Sequence, residues 1–439
     1  IMGLGFLYVV TQSSNVIVRL SGSTTIGLDL IPTLSKSYLE EKLNATNVQI
    51  IHTTKELTEI VGWVKGEKTT IRVFPRGTAK GFQDLGSKKT CIVMASRQIL
   101  DKERGDLINT RNGDLFSEKH ENIIGLDGIA VVAHPDLPID TLTLQDLNDI
   151  FSCKKKNWSE LGGPNLPIKV ILEEKNSSSL VFLNQMLRSK KKQIFCKDIQ
   201  RFKSMERISE HIIKNEGSIS ILPLSKINKT KILNIKVANL PIFKPTRFNI
   251  ALENYPLTRR LYLYSSEGKN KKNINNFLKY ALSQRGQEVI DSIGFVSLNP
   301  VKYIKNQQAK NQNELLQLPT EYKKIIHNAA QLSTNIRFYA NTMQLDVRGL
   351  KDLNNIAAQL KGQTNKKILL VGFSDNTDNT DLQRSVAASR ANSVKRVLMD
   401  NGIDANRIQT YGLGSSYSVA DNNTENGRRK NRRVEIWLL

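Results

Sequence analysis

Two rhythms of apolar positions alternate along most of this chain. "NVIVRLSGSTTIG" (15–27) is an apolar run entering a Ser/Thr/Gly turn. "LIPTLSKSYLEEKL" (30–43) then spaces its apolar residues three and four apart, as one face of a helix requires. "KTCIVMAS" (89–96) and "GIAVVAH" (128–134) are compact apolar runs suited to buried strands. "TLTLQDLNDIF" (141–151) reads as a helix opened by a Thr cap, and "NFLKYALSQRGQEVIDSIG" (276–294) as helical throughout. This alternation from Asn15 to about Pro300 predicts an α/β fold.

The rhythm fails over residues 301–325, which are rich in Lys, Gln and Asn and carry one Pro. Residues 301–331 are therefore expected to form a linker or connecting helix. A second, shorter domain is expected over 332–439. In it "STNIRFYA" reads as a strand and "LDVRGLKDLNNIAAQL" as an amphipathic helix. "KKILLVG" is a strand, "LQRSVAASRANSVKRVLMDNG" a helix ended by Gly402, and "RIQTYGLG" and "NRRVEIWLL" are strands.

Length agrees with this division, since 439 residues exceed what one hydrophobic core organises. Hydrophobic residues make up 39% and charged residues 24%, ordinary values for a soluble globular protein. The 64 Lys+Arg against 41 Asp+Glu give a formal charge of +23, which brings acidic partners into consideration: nucleic acid, anionic lipid or an anionic wall polymer. The basic residues are scattered, with short clusters at Lys154–Lys156, Lys190–Lys192 and Arg428–Arg433, so a diffusely basic surface accounts for them. Few aromatics lie among the clusters, which argues against base stacking, and no nucleic acid is expected.

Residues 1–14 begin with a short apolar run closed by small polar residues, too short to span a bilayer. They are expected to be the remnant of a secretory signal or an N-terminal tail. The three cysteines stand in no metal-ligand spacing and the five histidines are dispersed, so no metal and no cofactor is expected. Either Cys153 and Cys196 pair in an oxidising compartment, leaving Cys91 a buried thiol, or all three are free. No nucleophile–base pair or nucleotide loop appears, "GSTTIG" lacks the Lys of a P-loop, and "DNTDNTD" lacks the spacing of an EF-hand. The chain therefore reads as non-enzymatic.

Candidate chemistry is sharpest in the second domain. Asp375 lies just past the end of the strand "KKILLVG", and Arg390 lies on the helix that follows. If that helix packs back across the strand end, carboxylate and guanidinium share a cleft suited to a zwitterion. Without a ligand, the same residues would be a turn cap and a surface ion pair. The strand into "GFSD", the "SRANSVKRVL" helix, "NGIDANRI", "YGLG" and "GRRKNRRVEI" follow in an order that resembles the OmpA-like peptidoglycan-binding domain. That resemblance implies a mixed sheet with helices packed on it. It also implies that Asp375 and Arg390 bind the diaminopimelate of a wall stem peptide, with Asn376, Thr377, Gln383 and Arg433 lining the site. The turn departs from the family: Asp378 and Asp381 are added, Gln383 replaces the usual Asn before the helix, and Val386-Ala387 replaces Leu-Ser. Of Arg432 and Arg433, one is expected to support the site and the other to face solvent.

In the first domain, "SGSTT", "MASRQI", "GLDGIAVVAHPDLPIDTLTLQDLNDIF", "NWSELGG", "YPLTRRLYLY" and "LSQRGQEVIDSIGFVSL" resemble the PstS-type substrate-binding proteins of phosphate transporters. This implies a two-lobed periplasmic-binding-protein fold over residues 15–300, the second lobe covering about 125–240. The anion loops of that family correspond to Ser23, Thr24 and Thr25 entering a helix after Gly27, to Thr78 in "PRGTAKG", and to Ser96 with Arg97. The fourth loop departs. "EEKNSSS" puts Glu173 where the family has arginine, ahead of Ser177, Ser178 and Ser179, which removes a charge-assisted contact and adds repulsion for an anion. Lys175 or Arg97 would have to restore the positive charge.

The expected function is therefore that of a secreted envelope protein, in the periplasm or outer membrane of a Gram-negative cell. It binds peptidoglycan through its C-terminal domain. The N-terminal cleft receives a small anion or other small molecule, or helps to organise an envelope protein complex. The alternatives are a wall-anchored phosphate or oxyanion receptor for a transporter, and a basic adhesin or nucleic-acid binder.

Overall fold

The computed structural model describes residues 15–110, 113–173, 178–187, 195, 199–202, 204–266, 270–299, 318–340, 342–375 and 379–439. The chain folds into two compact units, one of residues up to Glu121 with Tyr262–Val289, the other of Asn122–Leu261 with Ile290–Leu439. Elements are numbered in chain order.

In the first unit β1 (Asn15–Gly22) is flanked in parallel by β4 (Glu67–Pro75) and β5 (Ile92–Ala95). Two antiparallel strands that the hydrophobic pattern did not single out, β2 (Thr46–Thr54) and β3 (Leu57–Val64), extend the β4 side. Tyr262–Ser265 of β12 (Thr258–Ser265) pair antiparallel with β5. Helices α1 (Ile31–Lys42), α2 (Thr78–Gly86), α3 (Asp101–Asn109), α8 (Lys271–Leu282) and α9 (Gln284–Ser292) complete it. The long helix expected over 276–294 is thus two, because Ser283 takes an extended ψ of 162° and ends α8. Tyr38 of α1 packs edge-on to Phe277 of α8 at 5.4 Å, and the Tyr280 hydroxyl donates to Ser37 at 2.8 Å.

In the second unit, β6 (Glu121–Ala133) is buried along its length and pairs antiparallel with β10 (Ser218–Pro223) and β11 (Lys231–Lys236). Beyond β10 come β8 (Lys169–Glu173) and β9 (Gln200–Phe202), both parallel, and β7 (Thr141–Thr143) joins β11. Helix α4 (Leu144–Phe151) opens on a reciprocal cap. Asp146 N–H donates to Thr143 Oγ1 at 3.0 Å and Thr143 N–H to the Asp146 carboxylate at 2.9 Å. With α5 (Ser178–Leu187), α6 (Met205–Lys214) and α7 (Arg247–Ala251) it frames a core around Trp158, whose indole N–H donates to Gly217 O at 3.0 Å. Cys153 is disulfide-bonded, Cys91 is a free thiol, and Cys196 lies outside the described residues.

The C-terminal part of this unit is a four-stranded sheet in the order β13 (Ala330–Arg337), β16 (Arg433–Leu438), β14 (Ile368–Phe373), β15 (Ile408–Gly412). Only the β14–β15 pair is parallel, so the sheet is mixed. One apolar cluster packs α11 (Val347–Leu360) and α12 (Thr380–Asp400) on the sheet through Leu353, Ile356, Ala391 and Val394. A second cluster joins Leu369, Val371, Phe373 and Trp437 to Tyr322 and Ile326 at α10 (Thr320–Ile325). The Tyr322 hydroxyl donates to buried Glu435. Packing of this part thus begins at α10, inside the stretch expected to be a connector. Helix α13 (Glu425–Asn431) was not legible as apolar periodicity, because six of its seven residues are polar or charged and it opens on a Thr424 cap.

A buried carboxylate binds the C-terminal part to the strands and helices of residues 122–261. Glu253, just after α7, meets Arg260 Nη2 and Arg348 Nη1 at 2.7 Å each and Arg429 Nη2 at 3.5 Å. Arg260 also reaches Asp346 at 2.7 Å, and Arg348 donates to Ala251 O at 2.8 Å. Arg337 Nη2 and Asn335 Nδ2 both donate to Leu252 O, at 2.6 and 3.1 Å. Burial alone would push the Glu253 carboxyl up, but Arg260, Arg429, Arg348 and Arg337 together hold it well below its ordinary value of 4.5.

Removing one partner from such a cluster leaves uncompensated buried charge, so Glu253→Ala is expected to cost about 3–5 kcal/mol in urea unfolding of the full chain. Because its pKa is depressed in the folded state, the Glu253 contribution is complete above pH 4.5 and fades only as the pH falls well below that value. An acid titration of stability that loses the same increment in wild type and Glu253→Ala would contradict the assignment.

Candidate functional site

Two glycines set the geometry at the end of β14. A Cβ on Gly372 would lie 2.0 Å from Ala387 O, and one on Gly412 would lie 2.6 Å from Ala388 N. Helix α12 therefore meets β14 and β15 at backbone distance, which only residues without a side chain permit. Asn379 starts the helix, its Oδ1 accepting from the N–H groups of Asp381 and Leu382 at 3.0 Å each. Gln383 accordingly lies within the helix, not before it, and its Oε1 accepts from the Ser415 hydroxyl.

The close approach puts Arg390 under the strand end. It is 4% exposed, its Nη1 donates to Phe373 O at 3.3 Å, and its guanidinium lies 5.6 Å from the centre of the Phe338 ring. Among the described residues that is its one hydrogen bond, and the buried Nε has none. Burial pushes the guanidinium down to about 10, the Asp375 carboxylate opposing this and Arg432 adding to it. Asp375 is half-buried and held by Arg432 Nη1 at 3.0 Å, while Arg432 also grips Glu425. A carboxylate arriving here meets a guanidinium with donors to spare, and an ammonium meets a carboxylate fixed from behind. Asn376 and Thr377 lie outside the described residues.

The expectation that one of the two closing arginines faces solvent does not hold. Arg433 is fully buried, its Nε donating to Glu435 at 2.9 Å and its Nη2 to Tyr417 O at 3.0 Å, and its guanidinium lies 3.9 Å over the Phe373 ring. Arg432, by contrast, is the residue that touches Asp375. The alternation of strand residues explains the split, since neighbours in and beside β16 point to opposite faces. Glu425 and Ser415 were invisible to sequence reasoning because they reach the site from loops and a short polar helix.

In the first unit, the C-terminal ends of β4, β1 and β5 converge. Gly77 N–H donates to Gly22 O at 2.7 Å and Ser23 N–H to Met94 O at 2.8 Å, and a Cβ on Gly22 would lie 2.0 Å from Met94 O. The helix after β1 starts at Thr24, ahead of the position expected after Gly27, and passes through a π-helical turn at Ile26–Leu30. Ser23 Oγ is buried and has no hydrogen-bond partner among the described residues. Thr78 begins α2, and its Oγ1 accepts from Ser96 N–H at 3.3 Å. Thr24, Thr25, Thr78 and Ser96 thus stand at neighbouring strand ends and helix starts, while Arg97 is taken: its Nη1 and Nη2 hold Glu103 at 2.8 and 2.6 Å. In the second unit Glu173 is half-buried at the end of β8, its carbonyl accepting from Arg201 at 2.8 Å. Ser178 and Ser179 begin α5, and Ser177 lies outside the described residues. The described residues contain no cluster of metal-binding side chains and no helix long and apolar enough to cross a membrane.

A family model described as the PBP superfamily domain matches residues 55–285, more than half of the chain. The chain belongs to the PBP superfamily. The OmpA family model matches residues 337–432, so an OmpA domain follows the PBP domain, as the motifs led one to expect. Phosphate-binding protein PstS of Staphylococcus saprophyticus is 30% identical over 245 residues, which cover 53% of this chain and 73% of that protein. Peptidoglycan-binding protein ArfA of Mycobacterium bovis is 39% identical over 84 residues, 19% of this chain and 26% of ArfA, so the match spans about a quarter of that relative. The crystal structure of an ABC-type phosphate transport receptor from Vibrio cholerae covers 64% of this chain and 99% of its own, with a TM-score of 0.50 at 17% identity. That likeness shows the two-lobed binding-protein fold of the PBP domain.

The OmpA domain supplies the sharper steric test. Gly372→Ala forces a Cβ onto the Ala387 carbonyl, so α12 must shift or the strand must bend. We expect a loss of about 1–3 kcal/mol in thermal or urea unfolding. An unchanged midpoint would show that the close approach is not under constraint.

Proposed function

We propose that this protein is a non-enzymatic component of the cell envelope, held to peptidoglycan by its OmpA domain, which grips the diaminopimelate of a stem peptide through Asp375 and Arg390. The observation that carries the reading is Arg390: a buried guanidinium using one hydrogen bond, beside a carboxylate already oriented by Arg432. A zwitterionic head group satisfies both without rearrangement, the carboxylate on Arg390 and the ammonium on Asp375. Gln383 then borders the ligand, with Asn376 and Thr377 expected there from the family resemblance, and Arg433 supports Phe373 from beneath. The name of ArfA supports the same partner. The disulfide at Cys153 agrees with a secreted, periplasmic location, and we place the protein at the wall of a Gram-negative cell, near the outer membrane.

For the PBP domain we propose a weakly anionic or neutral small molecule as ligand. The hydroxyls of Ser23, Thr24, Thr25, Thr78 and Ser96 suit an oxyanion, and the name of PstS points to phosphate. Among the described residues the charge that phosphate requires is not available: Arg97 is neutralised by Glu103, and Glu173 stands in place of the family's arginine, while Lys175 lies outside the described residues. A phosphate receptor feeding a transporter is the second reading, favoured by the unpartnered Ser23 Oγ.

Sedimentation with purified peptidoglycan is expected to retain the full chain, and Asp375→Ala and Arg390→Ala each to weaken retention about tenfold or more, the effect of losing a charge-assisted bond. Equal retention of all three proteins would sink the wall-binding reading. In calorimetry we expect no heat from phosphate up to millimolar concentration, and measurable heat after Glu173→Arg. Micromolar binding by wild type would instead establish the phosphate receptor.

A further inference from the structure

Within the second unit, a pocket of about 110 Å³ opens where residues 144–256 meet the OmpA domain. Its apolar wall is Leu144, Met186, Val237, Leu240, Pro256 and Val419. Its polar lining is Asn254, Asp421, Thr424, Asn426 and Lys430. Neither of the sites described above includes any of these residues.

Lys430 makes the pocket more than a gap in packing. It is 4% exposed, it lines the pocket, and its ammonium has no hydrogen-bond partner among the described residues. A buried ammonium without a hydrogen-bond partner is costly, so the group either gives up its proton or takes a counter-charge. Asn254, 6% exposed, accepts through Oδ1 from Asn335 at 3.4 Å, and its amide N–H groups have no partner among the described residues. The lining thus offers one amine without a hydrogen-bond partner and one amide donor together with six apolar side chains.

We propose that this pocket binds a small carboxylate with a compact apolar body, the carboxylate on Lys430 and Asn254 and the body against Val237, Leu240 and Val419. The volume suits about half a dozen to ten heavy atoms. Asp421 also lines the pocket, with one oxygen taken by Asn423 N–H at 2.9 Å, so an α-ammonium on the ligand would find an acceptor there. Both a simple branched carboxylate and an apolar amino acid carry the required chemistry. The pocket walls come from both domains, so an occupant bridges them.

Titration supports the same assignment. Burial pushes the Lys430 ammonium down to about 7, Glu253 opposing and Arg337, Arg429 and Arg260 adding to the effect. Near neutral pH the empty pocket therefore holds a partly neutral amine. A bound carboxylate favours the charged form, so binding takes up a proton and weakens as the pH rises above 7.

Calorimetry on the full chain with 4-methylpentanoate and with leucine tests the proposal. We expect saturable heat with at least one probe, a buffer-dependent term from proton uptake at pH 8, and affinity lowered about tenfold or more by Lys430→Met. Leu240→Trp, which fills the apolar side and leaves the ammonium in place, is expected to abolish binding, and keeps the test valid if Lys430→Met does not fold. Binding of leucine alone would assign Asp421 to the ammonium; binding of 4-methylpentanoate alone would assign the simple carboxylate. Silence from both probes at millimolar concentration, or equal binding by either variant, overturns the proposal. Peptidoglycan retention by the same variants stays unchanged, which separates this pocket from the Asp375–Arg390 site.

Discussion

One buried carboxylate, Glu253, holds the second unit together. Its partners come from two family domains: Arg260 from the PBP domain, Arg348, Arg429 and Arg337 from the OmpA domain. Four guanidinium groups this close, three of them buried, would repel one another and unfold the contact, and Glu253 with Asp346 and Asp352 is what makes their proximity tolerable. The helix that precedes Glu253, the strand that carries Arg337 and the helix that carries Arg348 are positioned by this exchange of charge. The pocket beside Lys430 exists because the same surfaces meet there without filling the space completely.

The two candidate sites treat their arginines in opposite ways. Arg390 is buried but under-used, with Asp375 close enough to favour its charge. Arg97 is half-buried and saturated by Glu103 in a two-point grip. A guanidinium already paired offers little to an incoming anion, because the ligand must displace a partner of equal charge. Of the groups at these strand ends, Ser23 Oγ has no hydrogen-bond partner among the described residues and carries no charge to neutralise.

Much of the fold was legible in residues. Compact apolar runs marked β1, β5, β6 and β14, and Thr143 marked the start of α4 through its reciprocal cap. The hairpin strands β2 and β3 escaped: β2 is largely exposed and rich in Thr, Asn and Gln, and the apolar residues of β3 are interrupted by Thr, Glu and Gly. Asp375 and Arg390 were readable from motif order. What was unreadable is pairing across distance: Arg432 with Asp375, Arg97 with Glu103, and Glu253 with its arginines are contacts between charged residues, and charge carries no periodicity. Arg433 illustrates the limit, since a basic run looks solvated in sequence and here is buried over an aromatic ring.

The docking of the OmpA domain through side chains has a mechanical consequence. Were the two domains joined only by residues 300–317, tension applied to the C-terminal sheet would travel along a single main chain. With Arg348, Arg260 and Arg337 clamped across the contact, the load is shared in parallel by short ionic and hydrogen-bonded links that must shear together.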